Sequence, residues 1–540
     1  MRTSVRMIAG AAIGIAIAMA CAGGVVARGA HARAAPAQGA GTPAPTPAPL
    51  TATTLLPAAG LRADAALLRR AYEALHPGLR RSLTPEQLDA AFAALDAAFA
   101  RDRTLADAYL AFSQFAAKIR CGHTYANFFN QPEAIAAALF RAPRLPFEFR
   151  WLGDRMIVTR SDAGVDALAP GTEVLAIDGV PVREILAKLM TVARADGGND
   201  DKRRALLERR GTERIETFDV FFPLLFPPRG PRFELTLRPR ENAPGMPGIF
   251  SVAAVPWEQA EAAGAARQPK PAPDAPAFEL RSAGRQIGLL RMPDWAFYNT
   301  RWDWRGGLRG IFDELVRTRA TDLIIDLRGN EGGSDVGDVL AAHLTDTPLA
   351  RPAVVRKTRY RAIPADLRPY LDTWDRSFDD WGAAATPAAD GFFTLRRDAD
   401  DDPGGTIAPE APHFAGRVWV IVGPENSSAT FEFARLVQAN RLGTLVGRPT
   451  GGNLRGINGG CFYFLRLPNS KIELDLPLIG QFPLDPAPDG GIQPDMRVEP
   501  SAEDIAAGRD PEFTAVLARI RTLGPPKPVT GPRTAQPRDP

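Results

Sequence analysis

Apolar positions recur at helical spacing early in the chain and at strand spacing later. Thr84-Pro85-Glu86-Gln87 has the pattern of a capping box with proline at the first helical position, and Leu88, Phe92, Leu95 and Phe99 follow on one face. Thr104 and Asp107 open a further helical pattern whose apolar side carries Leu105, Ala108, Phe112, Phe115 and Ile119. That pattern stops at Arg120-Cys121-Gly122, a basic residue followed by glycine, and His123 comes next. Residues 61–145 therefore read as an N-terminal helical domain.

From Pro146 the period shortens. Phe147 to Arg150 and Met156 to Arg160 flank Gly153-Asp154 as a hairpin. Pro170 to Val182 gives a strand, an Asp178-Gly179 turn and a second strand before a helix from Arg183 to Met190. This stretch, 146–245, resembles part of a PDZ-like domain, a fold that adds extended peptides to a sheet edge; an ordinary small sheet with one helix fits the same pattern. Residues 246–277 are rich in Ala, Pro and Gly and read as a linker.

The region 278–523 alternates the two periods. Strand patterns at Gln286 to Met292, Thr321 to Leu327 and Val418 to Val422 are interleaved with helical ones at Trp304 to Arg317, up to about Leu344, and from Ala429. A hairpin is expected around Pro468-Asn469-Ser470. The expected fold class is mixed α/β, with ligand sites at the strand ends.

The ends change the picture of where the protein works. Residues 1–30 carry Arg2 and Arg6, an apolar run from Met7 to Ala20, and Ala18-Met19-Ala20 before Cys21, the pattern of a secretory signal. Export is the expectation, to the periplasm or beyond, with lipidation of Cys21 as the one route to a membrane. Residues 31–60 read as an Ala/Pro-rich tether and 524–540 as a disordered tail. A net charge of +3 on 540 residues, 65 basic against 62 acidic, gives no one-sided field and argues against a nucleic-acid partner. Cys121 and Cys461 are able to pair in an oxidising compartment, or to stay buried as thiols.

Candidate chemistry concentrates in Gly423 to Ala434. Here a polar loop with Ser427 and Ser428 joins an apolar strand to a helix, whose unpaired N–H groups and dipole favour negative charge. The alternative is that either serine is only an N-cap. Among the five histidines, His123 alone sits in a short glycine-containing turn beyond a helix; such a residue is either aimed into a cleft or a surface group. His31 lies in the tether, His76 precedes a proline, His343 falls within a helix and His413 precedes a strand. Asp398 to Asp402 suggests a calcium loop, but Pro403 and Pro409 stand where glycine and the bidentate glutamate belong. No metal or cofactor is implied.

Asp326-Leu327-Arg328-Gly329-Asn330-Glu331-Gly332-Gly333 resembles the signature of the C-terminal processing (tail-specific) serine peptidases and the related tricorn core protease. Ser428-Ala429, Val446 to Gly452, Gly491-Ile492-Gln493-Pro494-Asp495 and Gly122-His123-Thr124 follow the same family pattern, which extends from Leu61 to Val498. The resemblance selects Ser428 over Ser427 as nucleophile, because the family's serine directly precedes Ala. In the branch with a Ser-Lys dyad, the lysine position falls on Asn453, which cannot take up a proton. The tricorn-like branch supplies a histidine instead, and that residue is His123.

The resemblance thus implies a serine peptidase acting on extended polypeptides. His123 would be the base, Ala429 and the Gly332-Gly333 turn the oxyanion donors, and Asp489 the acid that orients the base, about one residue out of the family's register. The competing expectation is a protein of the same fold that binds peptides or apolar ligands without turnover. A histidine base predicts activity falling as pH drops through about 6 to 7.

Overall fold

The computed structural model describes residues 49–238, 240, 247–267, 271–298, 300–396 and 405–524. The expected signal segment with Cys21, the acidic loop Asp398 to Asp402 and nearly all of the tail lie outside them. Among the described residues no helix is long and apolar enough to cross a membrane.

The region that matters most is a six-stranded sheet with the order Met496–Arg497, Thr444–Gly447, Arg417–Val422, Asp322–Asp326, Ile287–Arg291, Glu279–Gly284. All neighbours are parallel except the last pair. Its central strands are continuous apolar runs because both faces are covered. Helices Trp304–Arg317, Val336–Ala342 and Ala429–Asn440 bury Leu323, Ile325, Val420 and Val422 on one side. Helix Pro511–Leu523 buries Ile324, Trp419 and Ile421 on the other through Val516 and Ile520. The mixed α/β expectation holds, with the loops after Asp326 and Val422 side by side at the carboxyl ends of adjacent strands.

The early helices form as their patterns predict. Thr84 accepts from the Gln87 amide in a reciprocal capping box that starts helix Pro85–Ala98, and Thr104 accepts from the Asp107 amide at the head of Leu105–Lys118. These helices do not make a core of their own. They share one hydrophobic interior with a six-stranded antiparallel sheet (residues 147–253) and a further six-stranded sheet built around Asn458–Arg466 and Glu473–Pro483.

That hairpin is what brings the two ends of the chain together. Its Pro468-Asn469-Ser470 turn is gripped by the buried carboxylate of Asp64, which accepts from the Asn469 and Ser470 amides at 3.0 and 2.7 Å. Farther along, Asn127 donates to Asp475 at 2.8 Å and Gln131 to the Glu473 carbonyl at 2.8 Å.

Two expectations need correction. The tether ends too late: Leu55–Leu56 already pairs with Arg103–Thr104 and a helix begins at Ala58, because the Thr54 and Ala52 carbonyls accept from Leu105 and Ala106. The supposed linker contains strand Gly248–Ala253, paired along Arg232–Arg238, and helix Trp257–Arg267. Its small residues hid an alternation in which Val252 faces the core while Ile249 and Ser251 face solvent. Of the two alternatives for the cysteines, the structure shows buried thiols: Cys121 and Cys461 form no disulfide with each other, and the Asn458 amide lies 3.3 Å from Cys121 Sγ.

Candidate active site

The motif after Asp322–Asp326 folds into a turn whose polar side chains each have a structural task. Arg328 bonds back to Asp326 and forward to Asp510, at 2.7 to 2.9 Å, so it ties the last helix to the sheet. Asn330 donates to the Met292 carbonyl at 2.8 Å and accepts from the Gly332 amide at 2.9 Å. From the neighbouring loop, Asn426 donates to the Leu327 and Asn330 carbonyls at 2.6 and 2.9 Å, stitching the glycine turn to the serine turn. The approach is close enough that a Cβ on Gly332 would lie 2.7 Å from the Ser427 carbonyl oxygen, 2.8 Å from the Ala429 nitrogen and 2.9 Å from Ser428 Cβ.

Ser428 sits at the head of helix Ala429–Asn440 with φ 51° and ψ −127°, a region that a residue with a Cβ rarely enters. Its side chain makes no capping bond, and Ser427 Oγ donates to the Glu331 carbonyl at 3.2 Å, so neither serine caps the helix. A strained strand-to-helix turn that holds a serine hydroxyl out of the backbone's own bonding is the geometry of an exposed nucleophile. Strain of this kind costs on the order of 1–3 kcal/mol. Ser428→Gly is therefore expected to be more stable than Ser428→Ala by about 1 kcal/mol in urea unfolding; equal midpoints would show that the turn is unstrained.

Two backbone donors beside this hydroxyl have no partner among the described residues: the N–H of Ala429, first in its helix, and the N–H of Gly333. Gly332 is different, since its amide already donates to Asn330. Its contribution is the absence of a side chain. Gly333 adopts φ 138° with the Trp295 carbonyl 2.4 Å from where a Cβ would be, which leaves no room there either.

His123 comes from the early module and lies within electrostatic reach of Glu331, on the glycine turn, and of Lys202. Its turn is held by Asp196, which accepts the Gly122 amide at 2.9 Å, by Arg194, which donates to the Gly122 carbonyl, and by His76, whose ring lies 2.8 Å from Thr124 Oγ1. The imidazole packs beside Phe462 with ring centroids 5.7 Å apart. Withdrawal from water pushes His123 below the usual histidine range; Asp196 and Glu331 oppose this, while Arg194 and Lys202 add to it. Nδ1 is buried without a partner, and no hydrogen bond joins the ring to Ser428.

Asp489 does not meet the histidine. Its carboxylate accepts from the Gly198 amide at 2.9 Å and from Asn453 Nδ2 at 2.6 Å, and pairs loosely with Arg455. Asn453, the position of the dyad lysine in the other branch, also donates to the Asp196 carbonyl at 3.2 Å. Both residues thus clamp the segment 194–202, which is the part of the site that pattern reading passed over.

Along that segment Arg194 and Asp196 hold the histidine turn, and Asn199 donates to the Thr450 and Gly452 carbonyls at 2.9 and 3.0 Å. Lys202, 2% exposed, lies 3.0 Å from the Glu425 carbonyl oxygen and 3.1 Å from the Glu331 carboxylate. Glu331 pairs with both Lys202 and Arg194; confinement pushes its carboxyl up, but these two cations outweigh this and hold it below the usual range. The available signal was the cluster Asp196-Gly197-Gly198-Asn199, turn-forming residues too numerous for a plain helix connection.

Residues 286–459 match peptidase family S41. No curated protein matches the chain. Among solved structures, mature CPAF complexed with lactacystin is 16% identical and aligns over 86% of this chain and 98% of its own, with a TM-score of 0.58. A second structure of mature CPAF gives 16% identity, 86% and 97% coverage and a TM-score of 0.55. The photosystem II D1 C-terminal processing protease aligns at 15% identity over 82% and 92%, with a TM-score of 0.36. The segment that matches peptidase family S41 carries both the serine turn and the glycine turn described above, and it is seated in a fold that the chain shares with mature CPAF.

Proposed function

We propose that this protein is an exported serine endopeptidase that cleaves extended polypeptides with Ser428 as nucleophile and His123 as base. The observation that carries the reading is the strained, uncapped Ser428 beside two unpartnered amides, those of Ala429 and Gly333. With Nδ1 closed off in the interior, Nε2 takes the hydroxyl proton as Oγ attacks the peptide carbonyl. The oxyanion is received by the two amides, and the proton passes to the leaving amine as the acyl-enzyme forms. Water then attacks the ester, giving its proton to His123, and Ser428 is regenerated.

Export rests on the Arg2 to Ala20 pattern, and peptide capture on the PDZ-like resemblance of 146–245. One observation favours the competing reading, a binding protein without turnover: among the described residues no carboxylate hydrogen-bonds His123, and Asp489 is engaged elsewhere.

A fluorophosphonate probe separates the two. The wild type should label, and labelling should disappear in Ser428→Ala and slow sharply in His123→Ala. A wild type that resists the probe while correctly folded favours the binder. Because mature CPAF is known in complex with lactacystin, protection from labelling by that compound is a second readout.

A further inference from the structure

We propose that Lys202 is a positioning residue of the hydrolytic site: its ammonium, between the Glu425 carbonyl and the Glu331 carboxylate, sets the spacing between the serine turn and the glycine turn. The inference rests on the Ser428–His123 reading above and deepens it.

The two turns belong to adjacent strands; Asn426 bonds across their base, and Thr430 Oγ1 and Ser427 Oγ donate to the Asn330 and Glu331 carbonyls at 3.1 and 3.2 Å. Nearer the cleft, the residues bracketing the gap are Glu425, three positions before Ser428, and Glu331, two before Gly333. Lys202 spans them from a helix, Asp200–Leu206, that lies outside the family match and is fixed to the serine side through Asn199. It is buried, and both of its contacts are with the walls of the site. A buried ammonium needs such partners, because an unpaired one is strongly disfavoured.

The same placement gives Lys202 a second effect. The charged groups around His123 are Asp196 and Arg194 from the connecting segment, Lys202 from its helix and Glu331 from the glycine turn. Lys202 disfavours the imidazolium; Glu331 favours it. Neutralising one or the other should move the acid limb of kcat/KM in opposite directions.

The test uses the full chain and a quenched fluorogenic peptide. Lys202→Met is expected to lower kcat about tenfold with KM little changed, equivalent to roughly 1.4 kcal/mol of transition-state stabilisation, and to shift the acid limb to higher pH. Lys202→Arg, which keeps the charge and reaches both partners, should recover most of kcat. Glu331→Gln leaves the Lys202–Glu425 bond in place and should shift the limb to lower pH, so it tests the idea even if Lys202→Met does not fold. The proposal is overturned if both variants titrate like the wild type, or shift the same way, or if folded Lys202→Met keeps full kcat. Failure of the underlying reading looks different: the wild type itself would neither turn over nor lose probe labelling on Ser428→Ala.

Discussion

Gly332→Ala is expected to reduce kcat by about 10² or more while KM changes only a few-fold. The glycine has φ 102°, and an added Cβ would meet the Ser427 carbonyl, the Ala429 nitrogen and Ser428 Cβ, all inside 3.0 Å. None of these is the far end of a flexible side chain, so the serine turn and the glycine turn must move apart. Displacing a nucleophile or donor by about an ångström costs around 10² in rate, and removing one oxyanion donor costs 10² to 10³. Substrate binding remote from the scissile bond is untouched by this, which is why the loss should fall on kcat. The left-handed backbone adds a stability cost of roughly 1–2 kcal/mol, to be measured in parallel by urea unfolding. Gly329→Ala is the control, because φ 84° imposes similar strain while nothing lies within 4 Å of the added carbon. If the two variants lose activity equally, the close approach at Gly332 has no catalytic meaning.

How much of this could be read from sequence depended on the range of the interaction. Local rules placed the capping box at Thr84, the helix over Trp304–Arg317 and the hairpin turn at Asn469, because each is decided within a few residues. Ser428 was legible for the same reason: a polar loop between an apolar strand and a helix is a local pattern. The strain at its φ was not, because no local pattern marks it, and the glycine turn that lies against it is far away in sequence. The strand Gly248–Ala253 escaped notice because its only strong cue is its pairing partner.

The charged groups show the limit best. Lys202, Glu331 and Asp196 look like ordinary surface residues in their own segments, and only the meeting of three segments makes them neighbours of His123. Asp489 shows the converse, since a residue placed by family register is held by Gly198 and Asn453 instead. Its carboxylate is linked to the histidine turn through Asn453, which bonds both Asp489 and the Asp196 carbonyl, and through Asp196, which accepts the Gly122 amide.

That arrangement fixes the expected pH behaviour, with the acid limb of kcat/KM lying below the ordinary histidine value of about 6.5 rather than spread over 6 to 7. Burial, Arg194 and Lys202 all disfavour the imidazolium, and Asp196 with Glu331 only partly offsets them. The base thus stays neutral, and competent, in solutions slightly more acidic than a free histidine would tolerate. His123→Gln should lower kcat by roughly 10² to 10⁴ and remove the limb altogether.

Stability must be followed over the same range, because depressed histidines also destabilise the fold in acid. His76, held near 3 by burial and Arg81, binds a proton in the unfolded chain at about 6.5 but not in the folded one. Between those values each such histidine removes about 1.4 kcal/mol of stability per pH unit as pH falls. Reversible loss of activity in still-folded protein is the signature of His123 titrating; loss that tracks the unfolding midpoint, and is unchanged by His123→Gln, would assign the limb to the fold and remove the histidine from the mechanism.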